Sequence, residues 1–279
     1  MAYVVTLDVF SGRPNPRWII DSDQVSELQH FAKARARAFA AAPPPVLGYR
    51  GFTLTPVIDD SGKPLGALEA EATKEFGHHV FGDEEVEHYL LKTAGTHLED
   101  LVRQHVGSSI GQPPLAMAAT APRLACPPCT AADAPAYNPG FWNNNPTTLQ
   151  NNNCYNYANN QVTNTFAQPG RATGHQYTQL TCASVQPAAQ SDGLAPTPNF
   201  SSHLAAGKGW FVALVVAPGM DFHWYRQDNV GCWSHKPGST PVRNTDNAGH
   251  AITDPRTANR GPYTAFCSFM ITKRTVRIR

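Results

Sequence analysis

Four short segments after residue 209 constrain the fold most: "GWFVALVVAPG", "DFHWYRQD", "GCWSHKPGS" and "TAFCSFMIT". Each is rich in β-branched and aromatic residues. Each is bounded by Gly, Pro, Asn or Asp, the pattern of strands separated by turns. The last quarter of the chain therefore predicts an antiparallel sheet. One helix precedes it: Asn152 or Asn153 can cap a helix from Cys154 to about Phe166, with Tyr155, Ala158, Val162 and Phe166 three or four apart. "QPGRATG" then ends it.

The first 107 residues follow another pattern. "YVVTLDVF" alternates and predicts a strand, with "SGRPNP" as the turn after it. "DSDQVSELQHFAKARARAFAAA" opens on an Asp or Ser cap and carries Val25, Leu28 and Phe31 at helical spacing, until "PPP" at 43–45 stops it. "GFTLTPVID" predicts a second strand and "DDSGK" a turn. Asp83 caps a helix bearing Val86, Leu90, Leu91, Leu98, Leu101 and Val102. The pair His78–His79 has no acidic or cysteine partner at ligand spacing, so surface or loop is expected there rather than a metal site. The Gly-, Pro- and Ala-rich stretch up to residue 140 predicts a linker. The expected division is a small α+β accessory domain over 1–110, a linker over 111–140 and a second α+β domain over 141–279.

Charge is uneven. Residues 1–112 hold ten Lys/Arg against fifteen Asp/Glu, and residues 113–279 hold twelve against six, so −5 and +6 sum to the net +1. The mildly basic second half suits an anionic substrate such as a cell-wall polymer. It is too mild for nucleic acid, and no aromatic-basic RNA motif is present. No run of about 18 apolar residues exists, so no membrane insertion is expected. The start "MAYVVTLDVFSGRPNP" lacks a basic n-region and breaks at Asp8, Gly12 and Pro14. A cytoplasmic chain, or one exported without a cleaved signal peptide, is expected.

Six cysteines are too sparse for a disulfide scaffold in 279 residues. Cys126-Pro-Pro-Cys129 fits a redox pair, half a zinc site or a local disulfide. Its Ala- and Pro-rich flanks and the lack of a second CxxC favour a structural or incidental pair. Cys232 can pair with Cys267 if their strands adjoin.

One set of residues could do chemistry. A thiol nucleophile needs a lowered pKa, which a helix N-terminus supplies through partial positive charge and free N–H groups. Cys154 in a first turn would gain both, and its N–H would face a developing oxyanion. It needs a base, and His223 in "MDFHWYRQD" is the best candidate. The base needs an orienting partner. A hairpin centred on Asn229 would place His235 directly opposite His223, on the same face of the sheet. The last glutamate is Glu99, so any carboxylate in the second half must be Asp, and Asp221 is an alternative orienter. Asn152 or Asn153 would donate to an oxyanion. Tyr155, Trp224 and Trp233 would line a substrate groove, or serve as core aromatics. No cofactor and no metal is called for.

The segments "NNCYNYA" and "DFHWYRQDNVGCWSHKPG", in the order Cys, His, polar residue, resemble the papain-like bacterial thiol peptidases and amidases of the NlpC and CHAP types. The resemblance covers roughly residues 141–279. It implies a papain-like domain, with a nucleophile helix packed on an antiparallel sheet, and a Cys154–His223–His235 triad. The implied reaction is attack on a peptide or amide carbonyl, with cell-wall peptide as the family's substrate. A bacterial effector or toxin, or a tailoring enzyme, would follow, with the N-terminal domain docking a protein partner. The residues after Cys154 and the Pro-rich loop before His223 depart from that family's pattern.

Two other readings stand beside it. Cys154 can be a structural residue in a non-enzymatic binding protein, with the Asn-rich helix and the aromatic hairpin as its recognition surface. His223, His235 and Asp221 can instead form a zinc site.

Overall fold

The computed structural model describes residues 2–33, 39–40, 44, 46–57, 79–112 and 125–279. The chain is α+β and divides into two units. The first comprises Met1–Val9, Asn15–Pro44 and Tyr49–Pro114; the second comprises Phe10–Pro14, Pro45–Gly48 and Leu115–Arg279.

The first unit is built on a five-stranded sheet in the order β2-β1-β4-β5-β3. Its strands are β1 (Tyr3–Leu7), β2 (Arg17–Ile20), β3 (Phe39–Ala40), β4 (Phe52–Pro56) and β5 (His79–Val80). The alternating segments predicted as strands form β1 and β4, paired antiparallel with Val5 opposite Leu54. β2 had no sequence signal beyond "RWII", yet its exposed-buried alternation matches a strand half-sunk in a core. Helix α1 (Ser22–Lys33) buries Val25 and Leu28. The single helix expected from Asp83 to Val102 is two: α2 (Glu84–Thr93) starts where Asp83 accepts the Val86 N–H at 3.2 Å, a tighter turn at Gly95–His97 interrupts it, and α3 (Asp100–Ser109) follows. The "DDSGK" turn, the residues after Lys33 up to 38 and His78 lie outside the described residues. His79 is neither surface nor loop: it is buried in β5, 3.9 Å from Asp8, and burial lowers its pKa.

The second unit carries an antiparallel sheet in the order β6-β10-β7-β8-β9. Its strands are β6 (Ala195–Thr197), β7 (Trp210–Ala217), β8 (Asp221–Gln227), β9 (Trp233–His235) and β10 (Ala265–Thr272). All eight residues of β7 are buried, as an uninterrupted apolar run requires of a strand covered on both faces. Four helices belong to it: α4 (Pro139–Asn143), α5 (Pro146–Asn151), α6 (Cys154–Ala158) and α7 (Cys182–Ser191). Helix α6 packs on β8, and α7 packs on β7 and β10.

Two possibilities that the sequence leaves open for the cysteines are decided by the structure. Disulfides join Cys126 to Cys232 and Cys182 to Cys267, so the CxxC is not a local bridge and Cys232 does not pair with Cys267. Strand order is the reason: β9 and β10 sit at opposite sides of β7 and β8. Residues 125–138 are also tied down, since Ala131 bridges Leu204 and is buried.

Candidate functional site

The candidate residues meet where α6 packs on β8. The Asn-rich stretch makes this junction by capping. Asn138, Asn145 and Asn153 cap α4, α5 and α6 in turn, the first two with Pro just inside the helix. Asn153 forms a reciprocal capping box with Asn156. The predicted helix to Phe166 stops at Ala158, because Asn160 takes a left-handed φ of 52° and its N–H bonds the Tyr157 carbonyl. Five residues are little more than one turn, so few aligned peptide dipoles act on Cys154.

Cys154 is fully buried. Desolvation pushes its thiol well above the ordinary range, and the Asp221 charge adds to this. The backbone N–H groups of Trp224, Tyr155 and Cys154 itself act in the opposite direction and do not cancel the rise. A thiol held this way stays protonated, the opposite of an activated nucleophile.

His223 and His235 are brought together, Nε2 to Nδ1 at 2.8 Å. The register differs from the one predicted. Tyr225, not His223, lies directly opposite His235, so the hairpin is centred on Val230 and the histidines meet diagonally. Parity is preserved, so they still share a face. His235 Nε2 lies 3.1 Å from the Thr245 carbonyl, which can only accept, so that nitrogen carries the proton. Burial first, and the Arg243 charge second, lower the His235 pKa to about 3, so the ring is neutral near pH 7. Its Nδ1 is therefore an acceptor, and His223 Nε2–H is the donor.

Asp221 is fully buried and serves the backbone. It accepts from Ser11 N at 2.6 Å, Gly12 N at 3.1 Å, Arg13 N at 2.9 Å and Tyr263 Oη at 2.6 Å. Desolvation raises its pKa, and these four donors offset part of the rise. Gly12 is required at this contact, since a Cβ there would lie 2.5 Å from the Phe222 carbonyl oxygen.

The weaker candidates are all internal. Asn153 Nδ2 donates to Gly12 O and Ala167 O, each at 2.7 Å. Asn152 Nδ2 donates to Thr148 O and Asn164 Oδ1. Tyr155, Trp224 and Trp233 have no exposed surface and belong to the core. They form neither an open groove nor a recognition surface. Among the described residues no group of three or more His, Cys, Asp or Glu side chains could hold a metal ion, so His223, His235 and Asp221 do not form a zinc site.

Sequence reasoning missed the second buried polar group on the hairpin. Arg226 bonds Asp228 at 2.8 Å, lies 4.1 Å over the Tyr157 ring and donates to Tyr157 Oη at 2.8 Å, which in turn contacts Ser234 Oγ at 2.6 Å. The i, i+2 spacing of Arg226 and Asp228 on a strand was the available signal. Lys236 is buried too and donates to the carbonyls of Leu149 and Gly238.

Comparison with known proteins places this arrangement in context. Over 138 residues the chain is 49% identical to the insoluble matrix shell protein 1 of the mollusc Ruditapes philippinarum, covering 48% of this chain and 87% of that protein. No family model matches, and no solved structure matches. The relative is a eukaryotic shell matrix protein, which overturns the resemblance to bacterial thiol peptidases and with it the expected hydrolase, cell-wall peptidase and effector roles. The burial of Cys154 and of the presumed groove aromatics supplies the physical reason. Among the described residues no helix is long and apolar enough to cross a membrane.

Proposed function

From the premise that this chain belongs to the family of the insoluble matrix shell protein 1, we propose that it is a non-catalytic structural protein of an extracellular matrix. The observation that carries this is the 49% identity over 87% of that protein. Two further features support it. Disulfides persist in oxidising compartments, and this chain has two that span 106 and 85 residues of sequence. The chemistry-bearing side chains of the second unit are spent on one another: His223 on His235, Asp221 on backbone and tyrosine, Arg226 on Asp228. Buried polar networks of this kind specify one packing of the core, which suits a structural role.

Fractionation of the source tissue tests this. The chain is expected in the insoluble extracellular fraction, with Cys126, Cys182, Cys232 and Cys267 oxidised in peptide maps. Recovery from the cytosol with these four cysteines as free thiols would overturn it.

A further inference from the structure

The CxxC motif finds no use in the matrix role, yet the fold gives it an unusual setting. Cys126 is bonded to Cys232, and Cys129 is a free, half-buried thiol three residues further on. The backbone of 127–129 wraps over Gly231, the neighbour of Cys232. A Cβ on Gly231 would overlap the Pro127 carbonyl oxygen and lie 3.1 Å from Cys129 N, and Gly231 has a left-handed φ of 89°. Among the described residues the Cys129 thiol makes long contacts, 3.6 Å to Ala131 O and 4.0 Å to Gln227 Oε1. Cys126 is half-buried, like Cys129, whereas Cys232 is 7% exposed. Three cysteines thus share one corner of the second unit, and the accessible half of the disulfide is the one at CxxC spacing from the free thiol.

We propose that Cys126, Cys129 and Cys232 form a thiol–disulfide exchange site. The Cys129 thiolate attacks Cys126 Sγ, the Cys126–Cys232 bond breaks, and a Cys126–Cys129 bond forms. The electron pair leaves on Cys232, which takes up a proton as Cys129 has lost one. One disulfide and one thiol exist before and after, so the step needs neither oxidant nor reductant. The exchange moves the free thiol from the half-buried Cys129 to the β8–β9 turn and releases the covalent tie between that turn and residues 125–129. In the exchanged form the Cys126–Cys129 pair is a CxxC disulfide of the kind that accepts electrons from an external thiol.

The test uses the full-length oxidised chain, held at pH 8 for a day, quenched in acid, blocked with N-ethylmaleimide at low pH and digested with pepsin. A peptide carrying the Cys126–Cys129 disulfide is expected, together with maleimide on Cys232. In Cys129→Ser both should vanish while the Cys126–Cys232 bridge remains. In Cys232→Ser the Cys126–Cys129 bridge should form in air. Maleimide on Cys129 alone in the wild-type chain, or two free thiols in Cys232→Ser, would overturn the proposal. Maleimide on Cys232 in Cys129→Ser would do so as well.

Discussion

At the scale of single residues, burial decides what Cys154 and His235 can do. Cys154 has zero exposure and a thiol pushed upward by desolvation, so iodoacetamide at pH 8 should leave it unmodified in the folded chain. Modification should track global unfolding in denaturant. Selective labelling of Cys154 in the native protein would show that the site opens. For His235 the sign follows from a lowered pKa. The folded state binds fewer protons than the unfolded one between pH 6.5 and about 3, so stability from this residue is present above 6.5 and lost as pH falls. The full loss is on the order of 5 kcal/mol. Asp192, Asp221 and Asp228 act oppositely, because burial raises their pKa values and protonation favours the folded state. Comparing urea unfolding of the wild type and His235→Gln at pH 7, 5 and 4 isolates the histidine. The wild type should lose stability relative to the variant with each step down, and a constant difference would exclude a buried neutral imidazole.

At the scale of elements, caps and turns carry what pattern alone did not reveal. Strands β7, β8 and β10 and helix α2 were legible because apolar runs, alternation and an Asp cap are local signals. That His223 and His235 would share a face was legible too, since it depends only on parity. The register was not, because the turn spans Asp228–Cys232, closed by an Asp228 N–H to Cys232 O bond, and no residue count foretells that closure. The length of α6 was also hidden: Tyr155, Ala158, Val162 and Phe166 keep helical spacing, but Asn160, Asn164 and Phe166 adopt positive φ and turn the chain away. Asn138, Asn145 and Asn153 thus serve as caps, and Asn160 and Asn164 as left-handed turns. Their value should scale with burial. Asn138→Ala removes one exposed cap and should cost about 0.5–1 kcal/mol. Asn153→Ala removes a buried capping box and one of the two side-chain donors to each of Gly12 O and Ala167 O, Gln168 Nε2 supplying the other, and should cost about 2–3 kcal/mol. Equal losses for the two variants in chemical denaturation would contradict this ordering.

At the scale of the whole molecule, cysteine separates the two units. None of the six cysteines precedes residue 126, so reductant acts on the second unit through its two bridges. The separations of 106 and 85 residues were invisible in the sequence, because pairing depends on strand order rather than spacing. Closing a loop of about 100 residues is worth about 4.7 kcal/mol on chain entropy alone, and measured losses on removing native bridges run at about 2–5 kcal/mol. The two bridges hold different places. Cys182–Cys267 joins α7 to β10, and Cys126–Cys232 joins residues before α4 to the β8–β9 turn. Replacing Cys182 and Cys267 by Ser should therefore raise amide exchange first in α7, β6 and β10. Replacing Cys126 and Cys232 should raise it first in β9 and the end of β8. Full reduction should raise exchange across both places, and should convert an oxidised, protease-resistant second unit into one cleaved under native conditions. Unchanged exchange in a sample shown by mass to be fully reduced would mean that the buried networks of β7, β8 and α6 hold the unit without covalent help.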